Sequence, residues 1–253
     1  MDTIKLIPQL RPGCEESDAV YYDNCGADEL YYYDAMSFEE GMEGNIKMIK
    51  AICRTADIPL IVMSKVLRFE DVKKLIYAGA NKVVIDTEGY DNLDAVKEAS
   101  KRFGSDRLWI YMTETDYEKA LIRARKAVEE EGFGGIVLAG DPGENDYVKT
   151  ADFLKIKVKV PVTVMADTGE IAVVSDILKM TMSDGIILDA GKQFDCMDMK
   201  QELRGEYLAR LLEKTDRAIA GISRGKGEKD NARLEELRLV RQTLAEMKKE
   251  WDA

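Results

Sequence analysis

The stretch IPLIVMSKVLRFEDVKKLIYAGANKVVIDTE, residues 58–88, decides the fold. PLIVMS (59–64) and KVVID (82–86) are short runs rich in apolar and β-branched residues, as strands buried on both faces of a parallel sheet require. Between them FEDVKKLIYAG (69–79) reads as an amphipathic helix closing on a glycine, the residue best suited to the position after a helix end. The same alternation continues in both directions. IKLIPQL (4–10) and ELYYYD (29–34) precede the stretch; RLWIYM (107–112), GIVLA (135–139), PVTVM (161–165) and GIILD (185–189) follow it. The helix-like DYEKALIRARKAVEEEG (116–132) again closes on a glycine. Eight strands alternating with helices predict an α/β chain folded as a (βα)8 TIM barrel, an architecture of about 250 residues. The barrel core is placed at 1–195, with additional C-terminal helices at 196–253 packed on it.

Gly-Ala pairs in GADEL (26–30) and GANKV (79–83), with GFGGI (132–136) and MSDGI (182–186) in similar places, each stand just before a strand. Simple helix C-capping and a trace of internal duplication both account for them. Beyond the last strand, 198–218 and 231–251 read as helices joined by SRGKGEKDN (223–231). The second opens on a plausible Asn231 cap and repeats Leu234, Leu237, Leu244 and Met247 at helical spacing. It serves either as a helix packed on the barrel exterior or as a docking helix for another subunit.

Composition narrows the chemistry. At 34% charged and 45% hydrophobic residues, the 253-residue chain reads as a soluble globular protein. No apolar run reaches the roughly 18 residues of a membrane span, and Met1-Asp2 does not begin a basic signal region, so a cytoplasmic location is expected. The net charge of −11 argues against broad attraction to nucleic acid or an anionic membrane. Cys14, Cys25, Cys53 and Cys196 form no close pair and read as reduced thiols rather than a zinc site. There are no histidines, which removes the commonest general base and every imidazole metal ligand. Catalysis, if present, runs on carboxylates, Lys, Tyr, Cys or a bound cofactor, though no cofactor and no metal is expected.

GADELYYYDAMS, the 58–88 stretch and KRFGSDRLWIYM together resemble the phosphosugar-binding barrels of histidine biosynthesis, above all the cyclase subunit of imidazole glycerol phosphate synthase. The likeness is clearest over 4–113 and continues in register to about 192. It extends to the N-terminal barrel of some fused histidine-pathway enzymes, whose cyclohydrolase and pyrophosphohydrolase domains have no counterpart here. The resemblance implies two catalytic aspartates, at the ends of strands one and five. Aligning IPQLRP puts Arg11 at the first position, and LWIYMT puts Thr113 at the second. A guanidinium accepts no proton at neutral pH, and a Thr hydroxyl is a poor base. The family's long loop after strand one is cut to PGCEES (12–17), and its Gly-rich phosphate turns after strands three and seven read Met63-Ser64-Lys65 and Ala166-Asp167.

Active sites of this fold lie at the carboxyl ends of the strands. Those ends read Arg11, Asp34, Ser64-Lys65, Asp86-Thr87, Thr113-Glu114, Asp141, Asp167-Thr168 and Asp189. Two carboxylates about 6 Å apart at an effective dielectric near 20 repel by roughly 3 kcal/mol, so such a ring needs neutralising. Three readings follow: an internal ion-pair network with Arg11 and Lys65 filling a retired site; a surviving site for a phosphorylated sugar-like ligand; or a hard-cation site. Asp34, Lys65 and Arg11 are the catalytic candidates. The resemblance points to Thr87 near phosphate, and Gly169, Gly191 and Lys192 supply N–H donors and a cation to it. The expectation is a diverged phosphosugar-binding barrel without the standard cyclase activity, retaining ligand binding or regulating a histidine-pathway protein partner. The alternative is an active lyase- or isomerase-type enzyme on a phosphorylated metabolite.

Overall fold

A computed structural model of the chain describes residues 4–24, 27–35, 45–87, 93–140, 146–166, 168 and 171–189, together with helical positions between 209 and 249. It divides into two compact units, Met1–Phe194 and Asp195–Ala253.

The first unit contains all eight expected strands: β1 (Lys5–Pro8), β2 (Leu30–Tyr33), β3 (Leu60–Met63), β4 (Lys82–Asp86), β5 (Leu108–Met112), β6 (Gly135–Gly140), β7 (Val162–Ala166) and β8 (Gly185–Leu188). All pair in parallel, in the order β1-β8-β7-β6-β5-β4-β3-β2. The ends of this sheet meet at a single bridge, Gln9 to Tyr31. The Leu10 N–H donates to the Tyr31 carbonyl at 2.8 Å and the Asp28 N–H to the Leu6 carbonyl at 3.0 Å, which closes the barrel. The fold is therefore the TIM barrel that the alternation predicts.

Helices α1 (Glu15–Asn24), α2 (Asn45–Thr55), α3 (Phe69–Ala78), α4 (Asp94–Phe103), α5 (Tyr117–Arg125), α6 (Asp146–Lys157) and α7 (Ile171–Met180) alternate with the strands. A π-helical turn, Lys126–Glu131, extends α5 to Gly132. The C-capping reading of the glycines is met at Gly79. Its φ of +122° is one that side-chain-bearing residues rarely adopt, and the following Ala80 N–H reaches back to the Leu75 carbonyl.

Alternate strand residues fill the lumen: Ile7, Tyr31, Ile61, Met63, Val84, Trp109, Val137 and Ile187 form one buried cluster. Their neighbours in sequence face the helices. At the amino-terminal end of the lumen the buried Glu29 carboxylate is shared by Lys5 and Lys82. Lys82 also lies 4.7 Å from the centre of the Trp109 ring.

In the second unit, the described positions of 209–222 and 234–249 are helical, and Asp216 pairs with Arg241 across the two segments. Leu234 and Leu237 are half-buried while Leu239 is exposed; Leu244 and Met247 lie outside the described residues. Cys14 and Cys53 are free thiols, burial pushing the Cys53 pKa up; Cys25 and Cys196 also lie outside the described residues.

Candidate functional site

The mouth of the barrel is built where the strands end, and strand alternation sorts its residues before any chemistry does. Asp86 shares a strand face with the lumen residue Val84, and Tyr111 shares one with Trp109; the two are register partners across β4 and β5. Both are half-buried. Tyr33 follows the lumen residue Tyr31 on β2 and is exposed. The Tyr31 phenol is sealed below, donating to Met63 Sδ at 2.9 Å. Burial pushes its pKa well above the ordinary phenol value, with Tyr111 and Tyr33 adding to the effect.

Asp34 falls on the other parity, with Leu30 and Tyr32, toward the helices. It is fully buried. The Ser64 hydroxyl donates to Oδ2 at 2.9 Å, and the Asn45 amide at the start of α2 donates to Oδ1. The Asp34 N–H is given to the Met63 carbonyl at 2.8 Å. Asp34 thus ties β2 to β3 and to α2. Thr87 also points outward: Arg123 of α5 donates to its hydroxyl at 2.8 Å while pairing with the buried Glu131. Lys65 is half-buried just past β3. Thr113 is exposed, and Glu114 accepts the Asp116 N–H at 2.9 Å. Gly169, Gly191 and Lys192, with Asp141 and Asp167, lie outside the described residues.

Arg11 sets its guanidinium on Asp18 of α1, a partner outside the acids read at the strand ends. Nε reaches Oδ2 at 2.8 Å, Nη2 pairs with Oδ1, and the Arg11 N–H adds a third bond to Oδ2 at 3.1 Å. Asp18 is almost wholly buried, and its hydrogen bonds raise the Arg11 pKa further above its already high value. The connection from β1 to α1 is short: the Cys14 N–H turns back to the Arg11 carbonyl at 3.1 Å, and α1 starts at Glu15. Among the described residues, Arg11 bonds Asp18, Asp34 bonds Ser64 and Asn45, and Thr87 bonds Arg123, so Asp34 and Thr87 stand on the wall side of their strands. Among the described residues no three acidic or thiol side chains converge as metal ligands.

The residues that sequence reading missed are Asp18, Asn45 and Arg123 as partners, and Tyr111 and Tyr33 as lumen groups. Counting parity upward from Trp109 and Tyr31 would have found the two phenols. The partners depend on helix placement, for which the chain carries no local signal.

Residues 16–139 match the family described as histidine biosynthesis protein. Imidazole glycerol phosphate synthase subunit HisF of an Exiguobacterium species is 37% identical over 87 residues, covering 34% of each chain. That of Halalkalibacterium halodurans is 32% identical over 103 residues, 41% of this chain and 40% of its own. That of Sulfolobus acidocaldarius is 26% identical over 207 residues, 73% of this chain and 82% of its own. This chain therefore spans well under half of the first two relatives it matches. Among solved structures, N-(5'-phosphoribosyl)anthranilate isomerase from Pyrococcus furiosus superposes with a TM-score of 0.57 at 13% identity, over 79% of this chain and 96% of that one. That likeness is one of fold.

Proposed function

We propose, for a chain whose barrel is of the histidine-biosynthesis type and resembles the synthase's cyclase subunit, that the standard cyclase reaction has been lost and that a ligand-binding or partner-regulating role remains. The observation that carries this reading is the Arg11–Asp18 fork. The position where the resemblance expects a catalytic carboxylate holds a cation, and that cation is committed to α1 through three hydrogen bonds. Thr113 at the second position has no acidity near neutral pH to replace it. The retained ligand would be a phosphorylated sugar-like metabolite, with Lys65 at the mouth and Gly169, Gly191 and Lys192 as phosphate donors. The partner would be another protein of the same pathway, in keeping with the relatives' description as subunits. Among the described residues no helix is long and apolar enough to cross a membrane, consistent with work in the cytoplasm.

A second reading is favoured by the lumen itself. Asp86 and Tyr111 face one another's strands at the open end, and a carboxylate beside a phenol is an acid–base pair that needs no histidine. In that case the chain is a lyase- or isomerase-type enzyme on a phosphorylated metabolite, with Lys65, just past β3, as a further acid–base group.

The test is an assay of the purified protein with the ribulosyl intermediate and ammonia, and with the ribosyl precursor of the isomerase reaction, beside calorimetry with each. No turnover together with saturable binding is the expected result. Turnover of roughly 1 per second or faster would overturn the proposal. Slow turnover abolished by Tyr111→Phe or Asp86→Asn would favour the second reading.

A further inference from the structure

On the outside of the barrel, α2 packs on α3 and α3 on α4. These three helices carry eight lysines and arginines against four acids, whereas the rest of the chain carries 29 against 44. α2 contains no acid at all, and its Lys47, Lys50 and Arg54 are exposed. In a molecule whose net charge is −11, the basic excess of this group comes from α2 and α4, α3 balancing Lys73 and Lys74 with Glu70 and Asp71. Between α3 and α4 runs a groove of about 400 Å³ lined by Phe69, Lys73, Tyr77, Glu98, Lys101 and Arg102. Its aromatic part is ordered: Phe69 stacks on Phe103 at 5.9 Å, and Tyr77 meets the same ring edge-on at 5.9 Å. Even so, Tyr77 remains 64% exposed, with a large ring presented to solvent among cations.

An apolar ring ringed by guanidinium and ammonium groups is the composition of a protein–protein hot spot, where Tyr and Arg are enriched. We propose that the groove between α3 and α4 is a docking surface for an acidic segment of another protein, one that lays an apolar side chain on Tyr77 and carboxylates against Lys73, Lys101 and Arg102. Nucleic acid fits less well, because Glu98 stands inside the groove and Glu70 pairs with Lys73, both opposing an unbroken run of phosphates. A peptide can set an amide or hydroxyl there instead. Against a net charge of −11, the cations lining the groove favour an acidic partner there. The inference is independent of how the barrel mouth is read.

The experiment uses the whole chain, isotopically labelled, titrated with a synthetic peptide of Glu and Asp residues interspersed with Ser and Gln and bearing one central Trp, and followed by amide chemical shifts. Shifts confined to residues 69–78 and 94–103 are expected, with affinity falling at least fivefold between 50 and 200 mM salt. Lys73→Glu, Lys101→Glu and Arg102→Glu together should abolish them. Tyr77→Ala should weaken binding about tenfold while leaving thermal unfolding unchanged, since the ring is mostly in water. The same peptide without Trp should bind as weakly to wild type as the full peptide does to Tyr77→Ala. Shifts spread elsewhere, or unaltered by the triple charge reversal, overturn the proposal. So does tighter binding at these residues by a single-stranded oligonucleotide of equal length. Salt-sensitive self-association that the triple variant removes overturns it too, because the occupant would then be a second copy of the chain.

Discussion

Arg11 shows how a charged residue just past β1 becomes part of the scaffold. Asp18 is buried and takes three hydrogen bonds from Arg11, so deleting the side chain strands a carboxylate in the wall. Breaking a buried pair costs about 3–5 kcal/mol, and the partial exposure of the guanidinium lowers the expectation for Arg11→Ala to about 2–3 kcal/mol. Arg11→Asp should cost more, since it places like charge beside Asp18. Equilibrium urea unfolding measures both, and variants within about 0.5 kcal/mol of wild type would remove the fork from any structural role. Arg11 stood out in the sequence as a cation at a strand end; its partner did not, because the pairing exists only once a four-residue turn brings α1 back over β1. Tyr31 yields a second test. Unfolded phenols ionise near 10, whereas the buried Tyr31 holds its proton well above that. Above pH 10 the native state then binds more protons, so stability falls as pH rises, approaching about 1.4 kcal/mol per pH unit for this group. Lys82 works in the opposite direction, because burial lowers its pKa below 10.5 and stability rises with pH across that window. Both proteins share that contribution, so Tyr31→Phe should flatten the alkaline loss by the phenol's share alone. Equal slopes in wild type and Tyr31→Phe would show that the phenol is not held protonated.

At the scale of elements the sequence was most readable, since strand existence rests on short runs that can be buried only one way. All eight expected strands lie within a residue or two of their quoted runs, and α3 ends at the glycine that closes its pattern. The helix expected over 116–132 is present as α5 plus a π-helical turn, a change of hydrogen-bond register that periodicity does not specify. What periodicity also hides is which glycine is there for shape. Gly135 opens β6 directly against the Trp109 indole: an added Cβ would lie 2.3 Å from a ring carbon. The ring has nowhere to go without losing its N–H bond to the Asp106 carbonyl at 2.9 Å and its contact with Lys82. Gly135→Ala should therefore destabilise by about 3 kcal/mol, at the upper end of ordinary overpacking. In a Trp251→Phe background, where Trp109 alone reports, its emission should shift toward longer wavelength. An unshifted spectrum and unchanged midpoint would mean that β6 can slide to accept the methyl group.

The whole barrel has one seam that differs from the rest. Seven strand pairs are continuous ladders, but β1 and β2 share a single bridge, Gln9 to Tyr31, with one more backbone bond from the Asp28 N–H to the Leu6 carbonyl. Side chains add to these. Asp28 returns a bond by accepting the Leu6 N–H at 2.8 Å, and Glu29 reaches Lys5 of β1 and Lys82 of β4 at once. The Glu29 carboxylate is thus a clasp across the closing joint, buried where two ammonium groups would otherwise repel. Glu29→Gln keeps the shape and removes the charge. At pH 7 it should cost about 3 kcal/mol, because Lys82, whose side chain is 14% exposed, loses the partner that offsets its desolvation. The sign of the pH dependence follows. Without Glu29 the lysine gives up its proton more readily, so the penalty should shrink as pH rises toward 10. The loss should also be local. Hydrogen exchange should accelerate most at the Leu6, Leu10 and Asp28 amides of the seam, and least among β5, β6 and β7, whose ladders do not depend on the clasp. A uniform acceleration across all eight strands would mean that the barrel opens only as a unit. An unchanged pattern would mean that backbone pairing alone holds the ring shut.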